Sequence, residues 1–435
     1  MSAVAVPTAA ADAPRPAPVE TLRNEQGRIH DGWKTTFAST IGMMFGPSSV
    51  IIFCFGVFVP QLERAFGWGI GAISFGATLA SLSIIAASLL SGYLVDRFSV
   101  RTLALVSMPL FGATVAAGSL MNDNIYWFYF GIVFATLIGV GVGPIIYNKA
   151  TAVWFDRRLG FSLGLTNMGI GLGAAFLPAL VGYVVANYGW RNAYVAVGVL
   201  AVIIPWPIVF AFLKHRAVPV VAGASKNTAA ASPTLGMTFA ETRRTREFWL
   251  TAGAFAILGI ASSGAFVIHM VRILVDTGMA PARAAGLMSV LGIALIVGRV
   301  GTGWLLDRIS LQTIMIVLCV VAAGAVALLA AGAPFGTAAL CAAVGGLLMG
   351  AEFDVLGFLI ARYFGKLSFG SIYGAIFAIF QLASAIGVGV LGWWRSTQGS
   401  YSTGLYVIAA LLLVSAVLFA MLGQYRFAAA GTAAK

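Results

Sequence analysis

The sequence predicts an all-α integral membrane protein, with twelve transmembrane helices arranged as two pseudo-symmetric six-helix bundles. Three observations carry that expectation. Hydrophobic residues fill 60% of the 435 positions and charged residues only 9%, whereas about 25% of the residues of a water-soluble domain are charged. Apolar runs of roughly 20 residues, the length that crosses a hydrocarbon layer as a helix, recur twelve times. One charged turn also occurs twice, at the same place in each half.

Taken in order, residues 1–32 are rich in Ala and Pro and lack the apolar core of a signal peptide, so they read as a disordered cytoplasmic tail. The apolar runs follow at 34–59, 70–94, 102–121, 126–149, 160–186 and 192–213, then at 248–272, 284–305, 311–332, 337–361, 370–393 and 403–423. The first six form an N-terminal bundle over 33–213 and the last six a C-terminal bundle over 248–423. Between them residues 214–247, with Lys214, Arg216, Lys226, Arg243, Arg244 and Arg246, read as a cytoplasmic linker. Residues 424–435 form a cytoplasmic C-terminal tail.

Charge sets the orientation. Of the 26 basic residues, Arg64, Arg191, Arg272, Arg283 and Arg395 fall in one set of connections, Arg299 lies within a span, and the remaining 20 fall in the other set. The basic side faces the cytoplasm, which puts both termini inside a plasma (inner) membrane. The net charge of +12 is therefore directed at an anionic lipid surface rather than a nucleic acid. Cys54, Cys319 and Cys341 all lie inside apolar runs, with neither metal-site spacing nor an oxidising compartment, so no disulfide or zinc site follows.

The repeated turn reads Gly92-Tyr-Leu-Val-Asp96-Arg97-Phe-Ser-Val-Arg101-Thr after the second run. After the eighth it reads Gly303-Trp-Leu-Leu-Asp307-Arg308-Ile-Ser-Leu-Gln312-Thr. Six of eleven positions agree at an offset of 211 residues, which indicates duplication of a six-helix unit. With this turn and the six-plus-six layout, the chain resembles the major facilitator superfamily. Asp31-Gly32-Trp33, Trp154-Phe155-Asp156-Arg157-Arg158-Leu159-Gly160, Gly189-Trp190-Arg191 and the intramembrane Arg299 are similar to its monocarboxylate transporter and oxalate/formate antiporter branches. The resemblance implies the major facilitator fold, a central cavity exposed alternately to each side, and a substrate carboxylate bound at Arg299. It also implies a conformational gate at Asp96, Arg97, Arg101, Asp307 and Arg308, in a protein that works as a monomer in the lipid bilayer.

Arg299 is eight residues before Asp307 and thus about 12 Å inside the layer at 1.5 Å per residue. An Arg there costs about 2.5–3.5 kcal/mol on insertion scales. The equivalent position of the first half is Ser88, so the duplicated fold does not demand the charge. A bidentate donor for a carboxylate supplies a reason for it, against a permanent internal ion pair as the bland alternative. In Gly350-Ala351-Glu352-Phe353-Asp354, Glu352 lies about 15 Å from the inner edge, and Asp354 points about 200° away from it. Either acid could carry a coupling proton, a task suited to a carboxyl that feels both burial and a nearby cation.

His269, near the outer end of the seventh run, could take a proton or touch substrate, and could equally be an idle interfacial His. Tyr147, Asn148, Asn167, Tyr373 and Gln381 could shape the substrate site or simply bond neighbouring helices, and Phe55, Phe58, Phe377 and Phe380 could wall it. Lys149 reads as a Lys that reaches back to the interface.

Departures from the family patterns narrow the cargo. The oxalate transporters carry a second cation in helix eleven, which the stretch Tyr373 to Gln381 lacks. The animal monocarboxylate transporters carry an Asp at the position of Leu295. One cation suggests one carboxylate, hence a monocarboxylate, aliphatic or aromatic, moving with a proton. The rival readings are a proton-driven exporter of lipophilic drugs and a transporter-like receptor. The exporter's helix-five signature is not matched by Gly173-Ala-Ala-Phe-Leu-Pro178, and the chain ends soon after its last helix, without a signalling domain. No cofactor motif, metal-ligand spacing or nucleophile–base pair is present to suggest an enzyme.

Overall fold

The computed structural model describes residue 22 and residues 29–214 and 236–427. The expected N-terminal tail, most of the linker and the last residues lie outside that range. Among the described residues twelve helices are long and apolar enough to span a membrane. They are α1 (Asp31–Phe53), α2 (Gly71–Arg97), α3 (Val100–Leu120), α4 (Ile125–Ala152), α5 (Leu159–Tyr188), α6 (Trp190–Phe212), α7 (Arg246–Ile268), α8 (Gly286–Leu306), α9 (Leu311–Ala330), α10 (Phe335–Phe364), α11 (Phe369–Gln398) and α12 (Ser402–Ala420). They agree in number and order with the apolar runs. The described end of the expected linker is folded. Thr238 and Glu241 close a capping box on the short helix Phe239–Thr242, and Thr245 caps α7, each cap satisfying amides that the first turn leaves open.

The sequence motifs at the ends of the spans have packing tasks. Trp33 meets Phe155 edge-on at 4.7 Å and Phe161 at 6.1 Å, pinning the start of α1 to the start of α5. Arg191 lies over Trp190 at 4.3 Å and donates to the carbonyls of Ser119 and Met121, tying α6 to the α3–α4 connection.

The halves meet along two symmetric seams, α2 with α11 and α5 with α8. Glycines allow the approach: a Cβ on Gly92 would stand 2.4 Å from the Gly370 carbonyl oxygen, and one on Gly160 would stand 2.4 Å from that of Gly303. Both contacts are at the end carrying the Asp-Arg turns. Toward the opposite end, Gly71 of α2, Gly182 of α5, Gly292 of α8 and Gly389 of α11 meet nothing within 4 Å. Among the described residues, side-chain hydrogen bonds join the halves at Asp96, Asp307, Asp156, Phe155, Asn148 and Asn167, and these also lie at the Asp-Arg end or midway, so the halves are closed at the Asp-Arg end and parted at the other.

Helical geometry breaks at matching places. α1 widens into a π-turn at Ser48–Phe53 and α7 into one at the corresponding Ile260–Ile268, while α4 tightens through a 3-10 turn at Gly139–Val142. Such turns redirect side chains and gather at functional sites; here all three border one central cavity.

Candidate functional site

That cavity holds about 260 Å³ and lies between the halves. Ile52 and Phe53 of the α1 π-turn, on its wall, are 40% and 42% exposed. Its floor and far wall come from Ser88, Ser262, Arg299, Glu352, Phe353, Phe377, Phe380 and Gln381. A larger cavity of about 710 Å³ is lined from α1, α3, α4 and α6, with Phe55 and Phe58 on its wall. It carries no charged side chain, so the chemistry resides in the central one.

Arg299 is 2% exposed. Its main chain is wedged between glycines of two helices: a Cβ on Gly164 of α5 would stand 2.6 Å from its carbonyl oxygen, and one on Gly350 of α10 would stand 2.8 Å from its amide nitrogen. Ser88, its counterpart in the repeat, abuts Gly374 of α11 through its own carbonyl in the same way. The backbone setting is shared, and the guanidinium is the difference. It lies 5.2 Å over the Phe353 ring, and its Nε and Nη1 have no hydrogen-bond partner. A buried donor left unbonded is costly, and a planar pair of N–H groups beside an open cavity has the geometry to hold a carboxylate side-on.

The two acids of α10 separate as their spacing on a helix requires. Glu352, 3% exposed, faces the cavity and accepts a hydrogen bond from the Ser262 hydroxyl on the α7 π-turn. Asp354, fully buried, turns to the other half, where its Oδ1 accepts from Asn167 Nδ2 at 2.7 Å and its Oδ2 has no partner. Asn167 and Asn148 exchange side-chain hydrogen bonds of 3.0 and 3.3 Å, and Asn148 Nδ2 also donates to the Tyr373 hydroxyl at 3.1 Å. A polar cluster from α4, α5, α10 and α11 thereby bridges the halves.

Of the residues expected at the substrate, Arg299 and Gln381 line the cavity, and Asn148 and Tyr373 belong to the bridging cluster instead. Tyr147 packs on α1, where a Cβ on Gly42 would collide with its hydroxyl. His269 lies elsewhere. Its Nε2 faces the Val388 carbonyl at 3.0 Å and its Nδ1 faces the Tyr401 hydroxyl at 3.1 Å. A carbonyl only accepts, so the ring proton sits on Nε2 and Nδ1 accepts from Tyr401. Both nitrogens are occupied away from the cavity.

At the Asp-Arg end each repeated aspartate caps a helix of the opposite half. Asp96 accepts from the amides of Gly370 and Ser371 at 2.9 and 2.7 Å, and from the Ser371 hydroxyl at 2.6 Å. Asp307 accepts from the amides of Gly160 and Phe161 at 2.7 and 2.9 Å. These are helix N-termini, where open amides and the helix dipole favour an anion. The two sites differ in one respect. Lys149, expected to reach the interface, is buried and contacts Asp96 at 2.6 Å. Asp307 has no such bond among the described residues, and burial pushes its carboxyl up to about 6 against the two amides, Arg362 and Arg308.

The arginines expected in the gate stay within their own halves. Arg97 covers Tyr93, Arg101 donates to the Phe210 carbonyl, and Arg308 covers Trp304. Two other cations cross: Arg362 donates to the Asp156 carboxylate at 2.9 Å and to its carbonyl at 2.6 Å, and Lys366 donates to the Phe155 carbonyl at 3.0 Å. Nothing in the repeat pointed to them, because the repeat carries no equivalent pair.

The comparisons with known proteins agree with this geometry. The model of the Major Facilitator Superfamily matches residues 37–387. Monocarboxylate transporter 13 of Bos taurus is 28% identical over 63% of this chain and 63% of its own length. Monocarboxylate transporter 12-B of Danio rerio is 21% identical over 86% of this chain and 83% of its own. The 3-(3-hydroxy-phenyl)propionate transporter of Escherichia coli is 28% identical over 54% and 56%. Among solved structures, a major facilitator transporter, FucP, in the outward conformation superposes with a TM-score of 0.68 at 15% identity, covering 91% of this chain and 100% of that one. The human organic anion transporter MFSD10 superposes with 0.67 at 13%, covering 89% and 99%; at these identities the likeness is one of fold. With a match over most of its length and the twelve-helix architecture described above, the chain belongs to the major facilitator superfamily.

Proposed function

We propose that this chain is a secondary transporter that carries a monocarboxylate together with a proton across the plasma (inner) membrane, both termini lying in the cytoplasm. The observation that carries the reading is Arg299, buried beside the central cavity with two N–H groups unbonded. Membrane burial of a charge has to be compensated by function or by a partner, and no ion pair engages it among the described residues. Three of the relatives above are named for carboxylic acids, which supports the same cargo.

In this reading the parted end faces outward. The anion enters there, Arg299 grips its carboxylate, and Glu352, on the cavity wall, takes the proton. The inner end then opens by releasing the contacts that join the halves: the Asp96 and Asp307 caps, Arg362 with Asp156, and the Asn167–Asp354 and Asn148–Tyr373 bonds. Each is worth about 0.5–3 kcal/mol net, so closure is reversible and a cargo with differential affinity for the two states can shift it.

The test is thermal stabilisation of the purified protein by a panel of mono- and dicarboxylates and lipophilic cations. Monocarboxylates should raise the melting temperature and dicarboxylates less so, since one cation faces one carboxylate. Stabilisation by lipophilic cations alone would replace this reading with the exporter.

The gate carries its own pH signature. Asp307 binds its proton more tightly when buried in the closed state, about 6, than an exposed Asp does, about 3.9. Its contribution to closure is therefore complete below the lower value and lost as the pH rises through the higher. Labelling of a cysteine at Leu306 by an impermeant maleimide from the cytoplasmic side, taken relative to a free thiol at the same pH so that thiol ionisation cancels, should increase from pH 5 to pH 7. Asp307→Asn, neutral throughout, should flatten that rise; an unchanged slope would remove Asp307 from the gate.

A further inference from the structure

Resting on Arg299 as the anion site, we propose that the cargo is a monocarboxylate built on a single aromatic ring rather than a two- or three-carbon acid or a polyhydroxylated one. The wall beside Arg299 is aromatic. Phe377 and Phe380 stack with centroids 6.0 Å apart and planes 10° apart, and Phe353 meets them at 5.5 and 6.2 Å with tilts of 54° and 62°. All three border the cavity, and the guanidinium lies over one of them. A carboxylate held by Arg299 brings the body of its own molecule against these faces, where a ring gains the offset or edge-to-face contacts that an alkyl group cannot make.

The polar inventory of the cavity, short of free donors, disfavours a hydroxyl-rich cargo. Ser88 donates to the Ile85 carbonyl at 2.8 Å, Ser91 to that of Val140 at 3.1 Å and Thr136 to that of Ile132 at 2.8 Å, while Ser262 donates to Glu352. Their protons are spent within the protein, so these hydroxyls can only accept, and several cargo hydroxyls would lose water without finding donors for their oxygens. The hydroxyls of Ser48 and Ser263 and the Gln381 amide remain on the wall, enough for one ring substituent.

Size points the same way. At ~30 Å³ per water the 260 Å³ cavity has room for about nine waters. A three-carbon acid would displace only a small part of that water from the apolar rings, whereas a ring-bearing acid such as a phenylpropionate displaces more of it and covers the rings.

The experiment is titration of the purified full chain with benzoate, 3-phenylpropionate, cyclohexanecarboxylate, lactate and pyruvate, repeated on Phe380→Leu and Phe377→Leu. The aromatic acids should bind about tenfold or more tightly than lactate and pyruvate, and measurably more tightly than cyclohexanecarboxylate. Each leucine variant, apolar but without a ring, should weaken benzoate by about five- to tenfold and leave cyclohexanecarboxylate within about twofold; the second variant serves if the first fails to fold. Lactate or pyruvate matching benzoate overturns the proposal, as does cyclohexanecarboxylate matching it or a leucine variant that weakens all acids alike. Binding by none of the acids overturns the anion reading as well, so the two failures are told apart.

Discussion

Arg299→Ala is expected to abolish carboxylate binding while making the empty protein more stable. The affinity loss follows from removing one partner of a buried, hydrogen-bonded charge pair, which costs about 2–5 kcal/mol and so more than an order of magnitude in Kd. The stability gain follows from the structure without cargo. Arg299 is 2% exposed, two of its nitrogens are unbonded, and the Phe353 face at 5.2 Å is its cationic contact. A cation kept in that state is a liability to the fold, and its neighbours Gly164 and Gly350 touch its main chain, which alanine retains. Arg299→Lys should behave differently. It keeps the charge but offers a point donor in place of a planar fork, so binding should fall by about tenfold or more without the gain in stability. A thermal scan of empty and cargo-saturated protein reads both quantities. An Arg299→Ala protein that still binds carboxylate would end the role of Arg299 as the anion site, and an empty one that melts below the wild type would show that Asp354 and Glu352 compensate its charge.

Much of this site was legible because membrane burial makes charge conspicuous. With only 9% of residues charged, a lone Arg deep in the eighth run stands out, and comparison with Ser88 in the repeat removes symmetry as its cause. Helical geometry also separated Glu352 from Asp354 before any contact was known, and the structure has them on different sides of α10. The polar residues resisted the same treatment. Asn148, Asn167 and Tyr373 are each unremarkable in their own helices, and their meaning is a meeting of four helices that no spacing within one helix encodes. Lys149 was misread for a related reason. Five residues from Trp154, it has the depth of a side chain that reaches for water, and only the fold of α4 against α2 turns it onto Asp96. Arg97, Arg101 and Arg308 share the gate's turn, but each aromatic neighbour in its own half captures it. The crossing role passes to Arg362 and Lys366, outside the repeated pattern.

Glu352→Gln should eliminate accumulation driven by a pH gradient and preserve exchange of cargo against cargo. Glu352 borders the cavity, within reach of water from the parted end, and its carboxylate is held by the Ser262 hydroxyl on the α7 π-turn. Glutamine keeps the size of the side chain and an oxygen to accept from Ser262, so the cavity and the anion grip at Arg299 survive. It has no proton to load or release. The cargo can still be carried in both directions, but the gradient has nothing to act on, so the steady-state concentration ratio in proteoliposomes should fall to unity while the exchange rate stays within about threefold of the wild type. Asp354→Asn provides the contrast. Its Oδ1 still accepts from Asn167, so the bridge between the halves holds and gradient-driven accumulation should persist. If the outcomes are reversed, with accumulation surviving in Glu352→Gln and failing in Asp354→Asn, the proton travels through the bridging cluster. Protonation would then act directly on the contact that keeps the halves closed, and coupling would reside in the gate rather than in the cavity wall.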